Sequence, residues 1–163
     1  MNAELRELRS FLDAQRDTLR RLVAGLDSAR LAQRLAPSTM SLGGMLKHLA
    51  YVEDFWLHVV LLDQPPTPPF EAVDWRRDRD WDWRSASDDS PEELHRLLER
   101  SIARSDAALD AVDDPEARAA RGRRRGSSPP TVRWLLLHMV EEYARHCGHA
   151  DLIRESIDGT TGL

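Results

Sequence analysis

The sequence predicts an all-α fold, a four-helix bundle, on three observations. Four long stretches repeat their apolar positions at three- and four-residue steps, no stretch alternates as a strand does, and prolines and glycines gather in the breaks between them. Helices that each carry one apolar stripe must bury those stripes against one another, and four such helices close a core. The length of 163 residues fits a single domain over 1–163. A chain of that size buries roughly 70% of its unfolded surface and folds without disulfide staples. A hydrophobic fraction of 41% and five tryptophans exclude global disorder, and 8 Gly, 9 Pro and 1 Cys exclude a collagen-like or disulfide-framed scaffold.

The first helix is expected from about Asn2 to Gly25. Leu5, Leu8, Leu12, Leu19, Leu22 and Val23 form its stripe, and Gly25 stands where a C-terminal cap belongs. One or two turns follow over Ser28 to Leu35, before Pro37-Ser38-Thr39-Met40 breaks the chain. The second helix starts at Ser41, a good N-cap, and runs to about Asp63. It is the most apolar segment and so belongs at the centre. Gly43 and Gly44, in its first turn, leave room for another backbone to approach. Next comes QPPTPPFEAVDWRRDRDWDWRSASDD, expected as a loop of more than 20 residues between the second and third helices. Its Trp75, Trp81 and Trp83 either pin it to the body of the protein or rim a binding site, and packing is the plainer role.

Ser90-Pro91-Glu92-Glu93 is the clearest start signal in the chain: an N-cap serine, proline at the first helical position and a glutamate that completes a capping box. Leu94, Leu97, Leu98, Ile102, Ala108 and Leu109 carry this third helix to about Val112. The stretch that follows holds Arg121 and Arg123 to Arg125 around two glycines and reads as a flexible, solvated loop, with phosphate or acidic-ligand contact as the alternative. The fourth helix begins at Thr131 after two prolines and extends to about Ile157.

Charge and composition narrow the functions. Lys+Arg 23 against Asp+Glu 28 gives a net charge of −5, which argues against a basic nucleic-acid binder. No apolar run approaches the roughly 18 residues of a membrane span, and the charged N-terminal stretch lacks the core of a signal peptide. Cys147 is the only cysteine, as suits a reducing compartment. The expectation is a cytoplasmic protein that engages neither membrane nor nucleic acid.

The histidines are uneven in their distribution. His138, Glu142, His146 and His149 follow one another at steps of four, four and three, so all four project from one face of the fourth helix. Leu135, Ile153 and, slightly off axis, Met139 share that face, which should therefore point inward. Burying imidazoles and a carboxylate is costly unless they are paired or bind a metal. Glu142 and His146, one turn apart, can chelate one ion, and His48 on the second helix is the natural third ligand. Either His149 or His138 is an alternative to Glu142. Two imidazoles and a carboxylate suit zinc, nickel, iron or manganese. His58 and His95 read as surface or packing residues. Cys147 lies about 100° around the helix from His146 and reads as a small core residue. A Gly-rich phosphate loop, a Gly-x-Ser-x-Gly elbow and a Cys-x-x-Cys pair are all missing from the sequence.

Residues 37–50, PSTMSLGGMLKHLA with His48, resemble the second-helix motif of DinB-like proteins. Residues 133–155, RWLLLHMVEEYARHCGHADLIRE, resemble their fourth-helix motif, and the likeness covers nearly the whole chain. It looks closest to the branch labelled "mini-circle protein". The resemblance implies an up-down-down-up bundle of the DinB/YfiT type, a homodimer, and a divalent metal held by one histidine of the second helix and two ligands of the fourth. Many relatives carry His-x-x-x-His there; Glu142-x-x-x-His146 instead matches the related mycothiol-dependent maleylpyruvate isomerases. By that matching His48, Glu142 and His146 are the ligands, and His149, where many relatives carry glutamine, is an extra ligand or a close neighbour of the site.

Two function classes fit. The first, which the resemblance favours, is a metal-dependent S-transferase of detoxification or stress response. It would join a low-molecular-weight thiol of the mycothiol type to an electrophile, with Arg145 or the arginines at 121–125 holding the thiol cofactor. The second is a non-catalytic, metal-stabilised dimeric bundle.

Overall fold

The computed structural model describes residues 2–124 and 126–161, and among them every regular element is helical. Helix α1 spans Ala3–Val23 and is capped by Asn2, whose side chain accepts from the Glu4 N–H. Its predicted stripe is buried apart from Leu8, which is half-buried. Gly25, at φ +72°, turns the chain out of the helix. The short α2, Ser28–Leu31, follows.

Helix α3 begins at Leu42, with the Ser41 hydroxyl accepting from the Gly44 N–H, and runs to Glu53. It then continues as a π-helix over Asp54–Val60. The second helix is therefore as long as predicted, but its C-terminal half has wider turns. That widening re-phases the side chains beyond Glu53, and Trp56 meets Trp134 at 5.3 Å and His138 at 4.6 Å between ring centroids.

The expected irregular loop is partly helical, with 3-10 turns at Phe70–Ala72 and Ala86–Asp88 and a helix α4, Trp81–Ser85. A five-residue helix is too short to show a period in sequence, so contacts with α3 form it instead. Trp75 stacks on Tyr51 at 4.1 Å, and the Lys47 ammonium sits 4.4 Å over the Trp81 ring. Helix α5, Pro91–Asp110, has both halves of the predicted capping box and ends two residues before Val112. Helix α6, Val132–Asp158, starts from the N-cap Thr131 and stops at Gly159, which takes the left-handed conformation.

Pairwise contacts give the topology. Glu4 pairs with Arg133 at one end of α1, and the Leu22 carbonyl accepts from Arg154 near the other, so α1 and α6 run parallel. Arg9 with Asp110 and Arg20 with Glu99 set α5 antiparallel to α1. His48 meets His146 while Trp56 meets Trp134, so α3 is antiparallel to α6. The result is an up-down-down-up bundle.

A charged group crosses its core. Arg16 is 2% exposed and Glu53 0%, and they form a double hydrogen bond of 2.8 and 2.9 Å. The Tyr143 hydroxyl donates to the same carboxylate at 2.9 Å, and Arg16 also donates to Asp13 and Asp106. One buried cluster thus ties α1, α3, α5 and α6 together. The only trace of it in the sequence is an arginine in register with the Leu12 and Leu19 stripe.

Candidate metal centre

Helix α3 places His48 among Leu46, Leu49 and Ala50, all fully buried, and turns its ring toward α6. There His146 meets it edge to face, with centroids 4.9 Å apart. One turn earlier on α6, Glu142 points Oε2 at His146 Nε2, 3.6 Å away. One donor atom from each of His48, Glu142 and His146 lies within 4.8 Å of the other two. The local i,i+4 pair comes from helix geometry, and the antiparallel packing of α3 on α6 brings the third donor.

The electrostatics suit a cation. The His146 imidazole, 3.6 Å from Glu142 Oε2, and the charges of His138 and His48 hold the Glu142 carboxyl below its ordinary range although burial pushes it up. It is therefore an ionised oxygen donor at neutral pH, one that could serve a cation. His48 uses Nδ1 to meet the buried carboxylate of Asp82 at 2.6 Å, which leaves Nε2 as the nitrogen with which it could hold a metal. The His146 Nδ1 is buried with no hydrogen-bond partner among the described residues. Two imidazoles, a carboxylate and an acid behind one imidazole form a donor set that fits a divalent ion.

The other candidates lie around this group. His138 stacks on Trp134 at 4.9 Å and reaches Glu142 Oε1 at 3.5 Å, so it backs the carboxylate and stays outside the three-residue group. His149 also stands outside it, with its ring 5.6 Å from that of His146. Its Nδ1 is buried without a hydrogen-bond partner among the described residues, and burial, together with the charges of His146 and Arg145, favours its neutral form. It borders a small cleft with Leu35, Met40 and Leu152. Arg145 is largely exposed and pairs with Glu141 one turn away, on the rim beside His149. The arginine loop is more tied down than its composition predicts. Its backbone donates to Val60 and Leu61, Arg121 pairs with Asp63, and Arg123 lies 5.7 Å from the Trp56 ring centre. Arg125 lies outside the described residues.

Sequence reasoning missed one part of the site, Asp82, and ranked the binding-site role of Trp83 behind packing. Trp83 stacks on His48 at 4.7 Å, so the tryptophan-rich segment is both packed and part of the site. Trp75 and Trp81 serve the packing, whereas Trp83 covers His48. Gly44 makes this approach possible, since a Cβ there would stand 2.8 Å from Trp83 Cε3.

A family model described as mycothiol-S-transferase matches residues 7–159. The chain belongs to the mycothiol-S-transferase family. It also shares its fold with a crystal structure described as the conserved protein of locus from Enterococcus faecalis. The TM-score is 0.69 and the identity 17%, over 98% of this chain and 99% of that one. A comparison with curated proteins gives no match. In this mycothiol-S-transferase family chain no helix among the described residues is long and apolar enough to cross a membrane.

Cys147 is separate from the centre. It is 4% exposed, its thiol donates to the Gln15 carbonyl at 3.5 Å, and burial pushes its pKa up to about 11. At neutral pH it is a protonated core residue. Iodoacetamide is expected to label native protein at least about 100-fold more slowly than protein unfolded in guanidinium, followed by mass spectrometry. Labelling at equal rates would place the thiol at the surface.

Proposed function

We propose that this chain holds one divalent metal ion between His48, Glu142 and His146 and uses it to transfer a low-molecular-weight thiol of the mycothiol type to an electrophile. The convergence of those three donors, in a chain of the mycothiol-S-transferase family, carries the reading. When bound, the ion supplies a Lewis acid that lowers the pKa of a thiol. The protein's own groups set the conditions. Glu142 supplies the single negative charge of the donor set, and the two imidazoles bind in their neutral form. Trp83 covers one face of His48 and keeps water from it. Transfer forms a carbon–sulfur bond, the leaving group departs with its bonding pair, and the thiol proton is released. In this reading Arg145 exchanges Glu141 for the polar end of the thiol, and His149 borders the site.

The test is turnover of mycothiol with a fluorogenic haloalkane by metal-loaded protein. Expected is a thiol-dependent rate that His48→Ala lowers at least about 100-fold. Metal-loaded protein that turns over no thiol would make the chain a non-catalytic metal-stabilised bundle. The same reading carries a cytoplasmic homodimer, supported by large apolar side chains exposed on α1 and α6, Phe11, Trp134, Leu137 and Leu152. Light scattering is expected to give twice the chain mass, and a monomer would remove that part.

A further inference from the structure

We infer that Asp82 is a positioning residue of the metal centre: its buried carboxylate holds the Nδ1–H of His48 and so presents Nε2 to Glu142 and His146. The inference rests on the metal reading above for its purpose but not for its geometry. A neutral imidazole carries one ring proton, and whichever nitrogen carries it has no lone pair left for a metal. Free imidazole side chains in water favour the proton on Nε2, the nitrogen that faces the site here. Asp82 Oδ2, 2.6 Å from Nδ1, reverses that preference, because a carboxylate accepts and does not donate. The Asp82 side chain is 3% exposed, and its other oxygen, Oδ1, has no hydrogen-bond partner among the described residues. A buried carboxylate with a single donor leans heavily on that donor, and in return makes the opposite ring nitrogen a stronger base.

The segment that carries Asp82 is built against α3 residue by residue. Trp81 lies under the Lys47 ammonium, and Lys47 also donates to the Ser85 carbonyl at 3.3 Å and pairs with Asp89 at 2.5 Å. The Ser85 hydroxyl donates back to the Trp81 carbonyl at 2.6 Å, closing α4 on itself. Trp83 fills the space left by the missing Cβ of Gly44 and stacks on His48. Consecutive residues 81, 82 and 83 therefore bind Lys47, then His48, then Gly44 and His48 together. This arrangement extends the inference to a residue that touches no donor atom. Adding a methyl at Gly44 displaces Trp83, and with it Asp82, and so weakens metal binding from a distance.

The experiment uses full-length protein labelled with ¹⁵N-histidine. In the metal-free form, long-range ¹H–¹⁵N correlations report which ring nitrogen of His48 carries the proton. Zinc affinity is then measured by chelator competition for wild type, Asp82→Ala, Asp82→Asn and Gly44→Ala. Wild-type His48 is expected as the Nδ1–H tautomer, and Asp82→Ala as Nε2–H with zinc affinity lowered roughly 10- to 100-fold. Asp82→Asn keeps an acceptor of the same shape. It is expected to keep the Nδ1–H tautomer and lose about tenfold or less, which separates positioning from packing damage. Gly44→Ala should fall between wild type and Asp82→Ala. Far-UV circular dichroism confirms that each variant is helical. An unchanged His48 tautomer in Asp82→Ala, or a zinc affinity within about twofold of wild type, overturns the inference. If wild type takes up no zinc, the metal reading fails, while the tautomer of the metal-free protein still decides what Asp82 does.

Discussion

Replacing His48 or His146 by alanine is expected to abolish stoichiometric metal binding. Wild-type protein purified without a histidine tag, or reconstituted and desalted, is expected to carry about one equivalent of zinc, nickel or iron per chain, and either variant less than about a tenth. The reason is chelation. Glu142 and His146 share one turn of α6, and His48 closes the set from α3, so the loss of any one leaves two donors that water readily outcompetes. Changing a group behind a ligand costs roughly 10- to 100-fold in affinity, so losing the ligand itself should cost more. Binding to the folded state alone also stabilises it, by about 2.7 kcal/mol at a free metal concentration 100 times the Kd. For a chain of this length that raises Tm by roughly 5–10 °C. Differential scanning fluorimetry with and without metal should show the rise in wild type and none in His48→Ala or His146→Ala. Variants that keep a full equivalent of metal would show that the three side chains are a polar patch of the core and not a site.

The second large effect lies in the buried charge cluster. Arg16→Met and Glu53→Leu, made singly, are each expected to destabilise the protein by about 3–5 kcal/mol, because each leaves its partner charged and buried without compensation. Together they should recover most of that loss, since two apolar side chains of similar size satisfy the same space. Arg16 stays charged in the fold, where Glu53 and Asp106 outweigh the cost of its burial. Burial and the charge of Glu53 push the Tyr143 hydroxyl well above its ordinary pKa, so it remains a donor. Tyr143→Phe removes one hydrogen bond to a charged group, a loss of roughly 1.5–3 kcal/mol. Urea denaturation of the four variants measures the coupling directly. Single variants within about 1 kcal/mol of wild type would mean that the cluster is hydrated and does not hold the bundle. Glu53 is five residues from His48 and Tyr143 three from His146, so the cluster also sets the register of α3 against α6 on which the donor group depends.

How much of this was legible in sequence depends on how local each interaction is. The four helix stripes, the Ser90–Glu93 capping box and the Gly25 stop all involve residues within about four positions of one another, where helix periodicity makes a pattern visible. The same holds for the Glu142–His146 pair. His48 was placed by its position on the most apolar helix and by resemblance to a motif. Asp82 had no such signal: it sits among alternating charges and tryptophans, 34 positions from its partner. The widened turns of Asp54–Val60 left no mark either, because five of its seven residues are apolar and their spacing reads equally well as an α-helix.

By itself, then, the sequence determined the helical class, the helix boundaries to within a few residues, the family resemblance and the inward face of α6. Tertiary structure alone decided which histidines meet, that the tryptophan-rich segment folds onto the site, and that a charged cluster crosses the core. The division follows from range. Side chains on one helix are held to one face by 3.6-residue geometry, whereas contacts between elements depend on how four stripes pack together, which no single stretch of chain encodes.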